Sequence, residues 1–193
     1  MYAYIKGKLI KHAPTSVFVE TGGVGYLINV SVNTYSQIEH LSDVKLYTHL
    51  HVKEDDLSLY GFFDLEEKNL FTHLISVSGI GPNTARIVLS SMSPEEVTTA
   101  IITENDAAFK KVKGVGPKTA KRIILDLKDK LAKSPIASVS RAPGVGQNRE
   151  EAKLALLGLG FSKAQVQKVL DKIPEDSSQS VEHIVKSALQ LFS

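Results

Sequence analysis

Hydrophobic positions change their period along the chain, and the changes mark out its parts. Within residues 1–64 they fall into short alternating or β-branched runs at 3–11, 16–21, 25–30, 44–52 and 57–63. Pro14, Gly22-Gly23 and acidic turns separate these runs. A period of two bounded by turn residues predicts strands. Residues 34–40 stand apart and predict one small helix. Five short strands predict a small Greek-key barrel of the OB type. Gly22-Gly23-Val24-Gly25-Tyr26 reads as a hairpin turn, because no helix follows to make it a phosphate loop.

From residue 65 to 133 the spacing becomes helical, with a sharp start at Ser93-Pro94-Glu95-Glu96, where serine caps, proline suits the first helical position and Glu96 closes a capping box. Residues 134–148 carry Pro135, Pro143, Gly144 and Gly146 with little helical period and predict a linker. Its Gly144-Val145-Gly146 has no helical context and is set aside. Helical spacing returns at 150–157, 163–173 and 181–192, with Gly158-Leu159-Gly160-Phe161 as a turn and Ser162 to Gln165 as a capping box. Three helices in residues 149–193 make a core near the lower size limit for independent folding, as suits a unit that docks against something. The predicted fold class is α+β multidomain. An OB-like β-barrel (1–64) precedes an all-α tandem helix-hairpin-helix domain (65–133), a linker (134–148) and a three-helix domain (149–193).

One phrase occurs twice in the helical part. Val77-Ser78-Gly79-Ile80-Gly81-Pro82-Asn83-Thr84-Ala85 and Val112-Lys113-Gly114-Val115-Gly116-Pro117-Lys118-Thr119-Ala120 align at an offset of 35 residues. Each follows one apolar run and leads into another, so each reads as helix, Gly-x-Gly hairpin, helix. The glycines permit φ > 0, with Gly116 a candidate for that backbone, and let a ligand approach closely. Proline at the next helix start leaves unpaired N–H groups and the positive dipole end facing an anion.

Charge changes the picture further. Between Lys110 and Lys133 stand nine cations (Lys110, Lys111, Lys113, Lys118, Lys121, Arg122, Lys128, Lys130, Lys133) against Asp126 and Asp129, while the whole chain carries only +2. Two anion sites tied by one short connection, with a basic patch concentrated at the second hairpin, fit a polyanion contacted through its backbone, that is, DNA. The competing account of one such phrase is a glycine helix cap beside a solvated lysine face. The chain has no cysteine, so disulfides and thiolate metal sites are ruled out. Its start has no apolar signal segment and no stretch predicts a membrane span, so a cytoplasmic protein is expected.

Two enzyme classes compete with a binding role. A two-metal nuclease needs convergent carboxylates. Glu54-Asp55-Asp56 on an extended segment would point alternately, and His12, His40, His49, His51, His73 and His183 are scattered. A phosphate-loop ATPase needs glycine directly before the lysine, where Pro117 stands. No catalytic residue, metal or cofactor is assigned.

The order of parts, with Gly22-Gly23-Val24-Gly25-Tyr26, an acidic loop leading to Leu59-Tyr60-Gly61-Phe62, paired hairpins, a linker and a three-helix tail, resembles the RuvA family over the whole chain. That resemblance implies a non-catalytic subunit, a homotetramer or an octamer of two tetramers, that holds a four-way (Holliday) DNA junction open in recombination and repair. It implies recruitment of the hexameric ATPase RuvB for branch migration, and action of the nuclease RuvC on the same junction. The hairpins with Gly79, Gly81, Asn83, Thr84, Gly114, Gly116, Lys118, Thr119, Lys121 and Arg122 would grip the backbone of each arm. Asn83 stands where the family pattern often has lysine, which implies a weaker first contact. Glu54 and Asp55 match an acidic pin at the junction centre, with Asp56 beside them. Leu157, Leu159 and Phe161 on the tail would meet the motor.

Overall fold

A computed structural model describes residues 2–132, 147–174 and 179–192. The chain divides into two compact units, Met1–Ala137 and Ser138–Ser193. Lys133 and all of the expected linker except residues 147 and 148, with its Gly144-Val145-Gly146, lie outside the described residues.

In the first unit the alternating runs form β1 (Tyr4–Ala13), β2 (Ser16–Thr21), β3 (Val24–Val30), β4 (Asp43–Val52) and β5 (Leu57–Phe62). They close a barrel in the order β1-β2-β3-β5-β4, antiparallel except for the β3–β5 pair. Closure is tight at Val30↔Gly61, where a Cβ on Gly61 would lie 2.5 Å from Ile28 Cγ2. Helix α1 (Val32–Ile38) starts two residues earlier than expected, because Ser31 caps it by accepting from Thr34 N at 2.9 Å. Strand β1 runs to Ala13, two residues past the expected end, and Pro14, which cannot donate to a ladder, follows directly. Ile5, Val17, Val19, Ile28, Val30, Val44, Leu46 and Leu59, with Ile38 from α1, fill the barrel.

The five helices that follow are α2 (Leu65–Ile75), α3 (Pro82–Ser91), α4 (Pro94–Ile102), α5 (Asp106–Lys110) and α6 (Pro117–Ala132). Their apolar faces share one core, and its floor is the outward face of β5: Phe71 of α2 packs on Phe62 at 4.9 Å and Tyr60 at 5.1 Å. The capping box at Ser93 and Glu96 forms as expected. Polar ties reinforce the seam. Asn33 Nδ2 donates to Leu89 O at 2.6 Å, and Val32 N to Ser90 Oγ at 3.0 Å. Glu67 of α2, only 1% exposed, accepts from the hydroxyls of Ser31 and Thr34. Burial pushes its pKa above the usual carboxylate value; the two hydroxyls act the other way, and Asp64 adds to the rise.

The second unit holds α7 (Gln147–Gly158), α8 (Lys163–Leu170) and α9 (Val181–Leu191) around Ala152, Leu156, Val166, Leu170 and Ile184. Helix α7 takes in residues 147 and 148, which were expected to be linker, and Asn148 Nδ2 donates to Gln179 O at 2.9 Å. Helix α8 ends at Leu170 rather than 173, where the Arg149 guanidinium donates to the Leu170 and Ile173 carbonyls at 2.6 and 3.1 Å. Ser162 and Gln165 complete the second capping box.

Candidate nucleic-acid interface

The duplicated phrase folds into two hairpins of nearly equal geometry, the first between α2 and α3, the second between α5 and α6. In the first, Val77 N donates to Leu74 O and Ile80 N to Val77 O, both at 3.0 Å. In the second, Val112 N donates to Phe109 O at 3.0 Å and Val115 N to Val112 O at 3.1 Å. Gly79 has φ 91° and Gly114 φ 90°. The left-handed residue is thus the first glycine of each hairpin, and the expectation of φ > 0 at Gly116 does not hold. The first glycine is the third residue of the four-residue turn that the valine carbonyl closes, the position that takes φ > 0 as the chain reverses, and the second glycine lies beyond that turn. Val77, Ile80 and Ala85, like Val112, Val115 and Ala120, are buried and anchor each loop to the shared core.

The second glycines have another task. Gly81 is the N-cap of α3, with φ −87°, and makes no side-chain cap bond. Gly116 precedes Pro117 at the start of α6 and likewise brings no capping atom. By contrast α1, α2, α4, α5, α8 and α9 all have a Ser, Asp or Asn side chain accepting from their first turn. The N–H groups at the start of α3 and α6 are left for an external acceptor, where the dipole end favours an anion. A Cβ built on Gly79, Gly81, Gly114 or Gly116 meets nothing within 4 Å, so both loops present bare backbone outward. Thr84 and Thr119, half-buried, occupy equivalent positions in the first turns.

The side chains break this symmetry. Lys118, Lys121 and Arg122 are exposed at the second hairpin and its helix. At the first hairpin Asn83 accepts from Arg86 Nη2 at 2.9 Å, and Arg86 Nη1 donates to the barrel carbonyl of Thr15 at 2.7 Å. Arg86 aligns with Lys121 at the 35-residue offset, a signal that went unused in the sequence. Helix α6 also reaches across: Arg122 Nη1 donates to Ser78 O at 3.4 Å and Lys130 Nζ to Ser76 Oγ at 2.9 Å. Two cations of the basic stretch therefore stand beside the first hairpin, which lacks a lysine of its own. Lys110 is drawn off by Asp106 at 2.7 Å and Lys128 by Glu104.

Glu54 and Asp55 form the bend between β4 and β5, with Asp56 following; Lys53 N donates to Asp56 O at 2.8 Å. The expected alternation along an extended segment is therefore corrected, since the acids sit on a tight turn. Glu54, Asp55 and Asp56 are exposed, and Asp56 accepts from Ser58 Oγ. Among the described residues no group of three or more His, Cys, Asp or Glu is placed to hold a metal ion. His49 packs edge-on against Phe71 at 5.4 Å. Of the three named apolar residues on the tail, Leu159 is exposed, at 61%. Leu157 and Phe161, partly buried, pack against the small core, Phe161 stacked on Phe192 at 4.0 Å. No helix among the described residues is long and apolar enough to cross a membrane.

Family models match along most of the chain: the RuvA N terminal domain over residues 1–61, the SAM-like helix-hairpin-helix tandem over 71–130, and the RuvA C-terminal domain over 147–193. A Cytophaga hutchinsonii protein named Holliday junction branch migration complex subunit RuvA is 48% identical over 198 residues, covering 99% of this chain and 100% of that protein. The chain belongs to the RuvA family. Proteins of the same name from Christiangramia forsetii (48% over 191 residues, 98% of this chain and 99% of that one) and Bacteroides fragilis (44% over 199 residues, 98% and 99%) match over nearly their whole length. The fold class expected from the sequence is that of the RuvA family, a barrel, tandem hairpins and C-terminal helices. The name these relatives share is that of a subunit of a Holliday junction branch migration complex.

Proposed function

We propose that the chain binds four-way DNA junctions through the sugar-phosphate backbone and holds them open for branch migration. The observation that carries this reading is the pair of uncapped helix N-termini, each behind a bare glycine hairpin of the same geometry, the second of them inside the most basic stretch of the chain. Backbone N–H groups at Asn83, Thr84, Lys118 and Thr119 take phosphate oxygens, and Lys118, Lys121 and Arg122 add charge. Glu54 and Asp55 repel converging phosphates within about one Debye length, ~8 Å at physiological salt, and so favour an opened crossover over continuous duplex. A competition gel shift at fixed salt tests the reading. Preference for the junction over linear duplex of equal length, independent of base sequence, is expected; equal affinity for the two contradicts it.

The remaining roles belong to the same proposal. Four copies, or eight, surround one junction in the cytoplasm, RuvB docks on residues 149–193, and RuvC acts on the junction so held. Leu159, 61% exposed beside the left-handed Gly160, is the apolar contact offered to the motor, with Leu157 and Phe161 behind it. Leu159→Asp is expected to leave junction binding intact and abolish motor-driven migration. Migration at the full rate in that variant would remove the tail from the motor contact.

A further inference from the structure

Strands β4 and β5 run past the barrel they close. The ladder from β1 leaves β4 at Tyr47, and that from β3 meets β5 only at Tyr60 and Gly61. The pairs Leu50↔Leu59, His51↔Ser58 and Val52↔Leu57 therefore have no third strand in their ladder and form a two-stranded arm. Alternation places Leu46, Leu50 and Val52 on one face with Leu57 and Leu59. Exposure along this face rises from 0% at Leu46 and 8% at Leu59 to 62% at Val52 and 70% at Leu57. The face that lines the barrel core thus continues beyond the barrel and ends uncovered, directly beneath Glu54, Asp55 and Asp56. Cross-strand partners point the same way, so Val52 and Leu57 make one apolar step.

We infer that Val52 and Leu57 are a wedge for nucleobases, covering the face of the base pair that borders the open centre of a junction. The inference rests on the proposed junction reading, which sets the acidic turn at that centre. Carboxylates at the arm's tip turn phosphates away and leave uncharged base faces as the part of DNA able to close on it. An opened junction supplies such faces, since the innermost pair of each arm has lost a stacking neighbour. The two side chains expose on the order of 200 Å², far below the ~800 Å² per partner of a stable protein interface. Apolar side chains of this size set against unstacked base steps are a common means of holding deformed DNA.

The test uses the full chain carrying Val52→Thr and Leu57→Thr, which puts strand-favouring β-branched residues at both positions but adds hydroxyls to the arm's apolar face. Affinity for a static four-way junction is expected to fall about tenfold while affinity for linear duplex of the same sequence is unchanged. Acrylamide quenching of a 2-aminopurine placed at the branch point is expected to rise in the variant complex. Leu57→Phe, which enlarges the step, shifts junction affinity the other way. Unaltered junction affinity and quenching in the double variant would reduce the pair to ribbon packing and overturn the wedge. Equal losses on junction and duplex, or a change in assembly by light scattering, would overturn it in favour of a general DNA contact or a second copy of the chain. A wild-type protein with no junction preference would sink the junction reading itself, and the wedge with it.

Discussion

The two hairpins share a backbone and differ in chemistry. Their left-handed glycines agree within a degree, 91° against 90°, and their internal hydrogen bonds within about a tenth of an ångström. Yet Asn83 stands opposite Lys118, Ile87 opposite Arg122 and Ser76 opposite Lys111. Backbone shape is held by glycines, prolines and buried Val and Ala kept in both copies, with Ile80 matched by another buried apolar residue, Val115, whereas charge sits on positions free to diverge. The divergence is then partly offset in three dimensions, because Arg122 and Lys130 of the second copy reach the Ser78 carbonyl and Ser76 hydroxyl of the first. A cradle for phosphate is thus specified separately from the cations around it.

The strongest challenge to that equivalence is steric. Gly81→Val and Gly116→Val place a side chain in space that the protein leaves empty, at a φ of −87° for Gly81 that any residue adopts. Each variant is expected to fold and yet to lose junction binding by more than about tenfold, the scale of losing a charge-assisted hydrogen bond. Circular dichroism with gel shifts checks both halves, and full binding by either variant would show that its hairpin stays clear of DNA. Next in size are Gly79→Ala and Gly114→Ala, which force a Cβ into the left-handed region and are expected to destabilise by about 1–2 kcal/mol each. Chemical denaturation should give equal values for the pair, and unequal ones would break the geometric match.

The electrostatic difference predicts smaller, opposite changes. Lys118→Ala should flatten the salt dependence of binding by about one phosphate contact, and Asn83→Lys should steepen it by about the same amount. Salt titrations of the two variants measure this directly. If Asn83→Lys leaves the slope alone, Arg122 and Lys130 already satisfy the first site. The smallest effect concerns His73, whose counterpart is Ala108. Burial first, then Lys130, holds its pKa below 6.5. A base whose folded pKa is depressed binds its proton more readily when unfolded, so its contribution to stability is present above 6.5 and lost as pH falls below it. His73→Ala should therefore remove part of the stability loss on mild acidification, as followed by denaturation at two pH values.

The barrel strands, the capping boxes and the duplicated hairpins are legible in the sequence because each rests on local rules. Alternation, a serine three residues before a glutamate or glutamine, and a repeated Gly-x-Gly-Pro state their geometry without knowledge of the rest of the chain. What stays hidden depends on distant partners. Arg86 looks like an ordinary helix cation until Thr15, 71 positions away, supplies its acceptor. Leu157 and Phe161 stand near a turn in the sequence, and only the fold shows both partly buried against the tail core, Phe161 on Phe192. Which glycine turns left-handed is likewise settled by the valine carbonyl behind it, while the Gly-x-Gly pattern permits either.

Glu67 links the parts energetically as well as spatially. Its carboxylate leaves water only because Ser31 and Thr34, in the segment leaving the barrel, donate to it, and Thr34 in turn accepts from Phe63 N at 3.1 Å. Unfolding the helices would strand two hydroxyls, and unfolding the barrel would strand a buried carboxylate, so neither part reaches a low-energy state alone. Residues 2–132 should consequently melt as one cooperative unit, with a single calorimetric transition in which the DNA-gripping loops and the barrel share one stability.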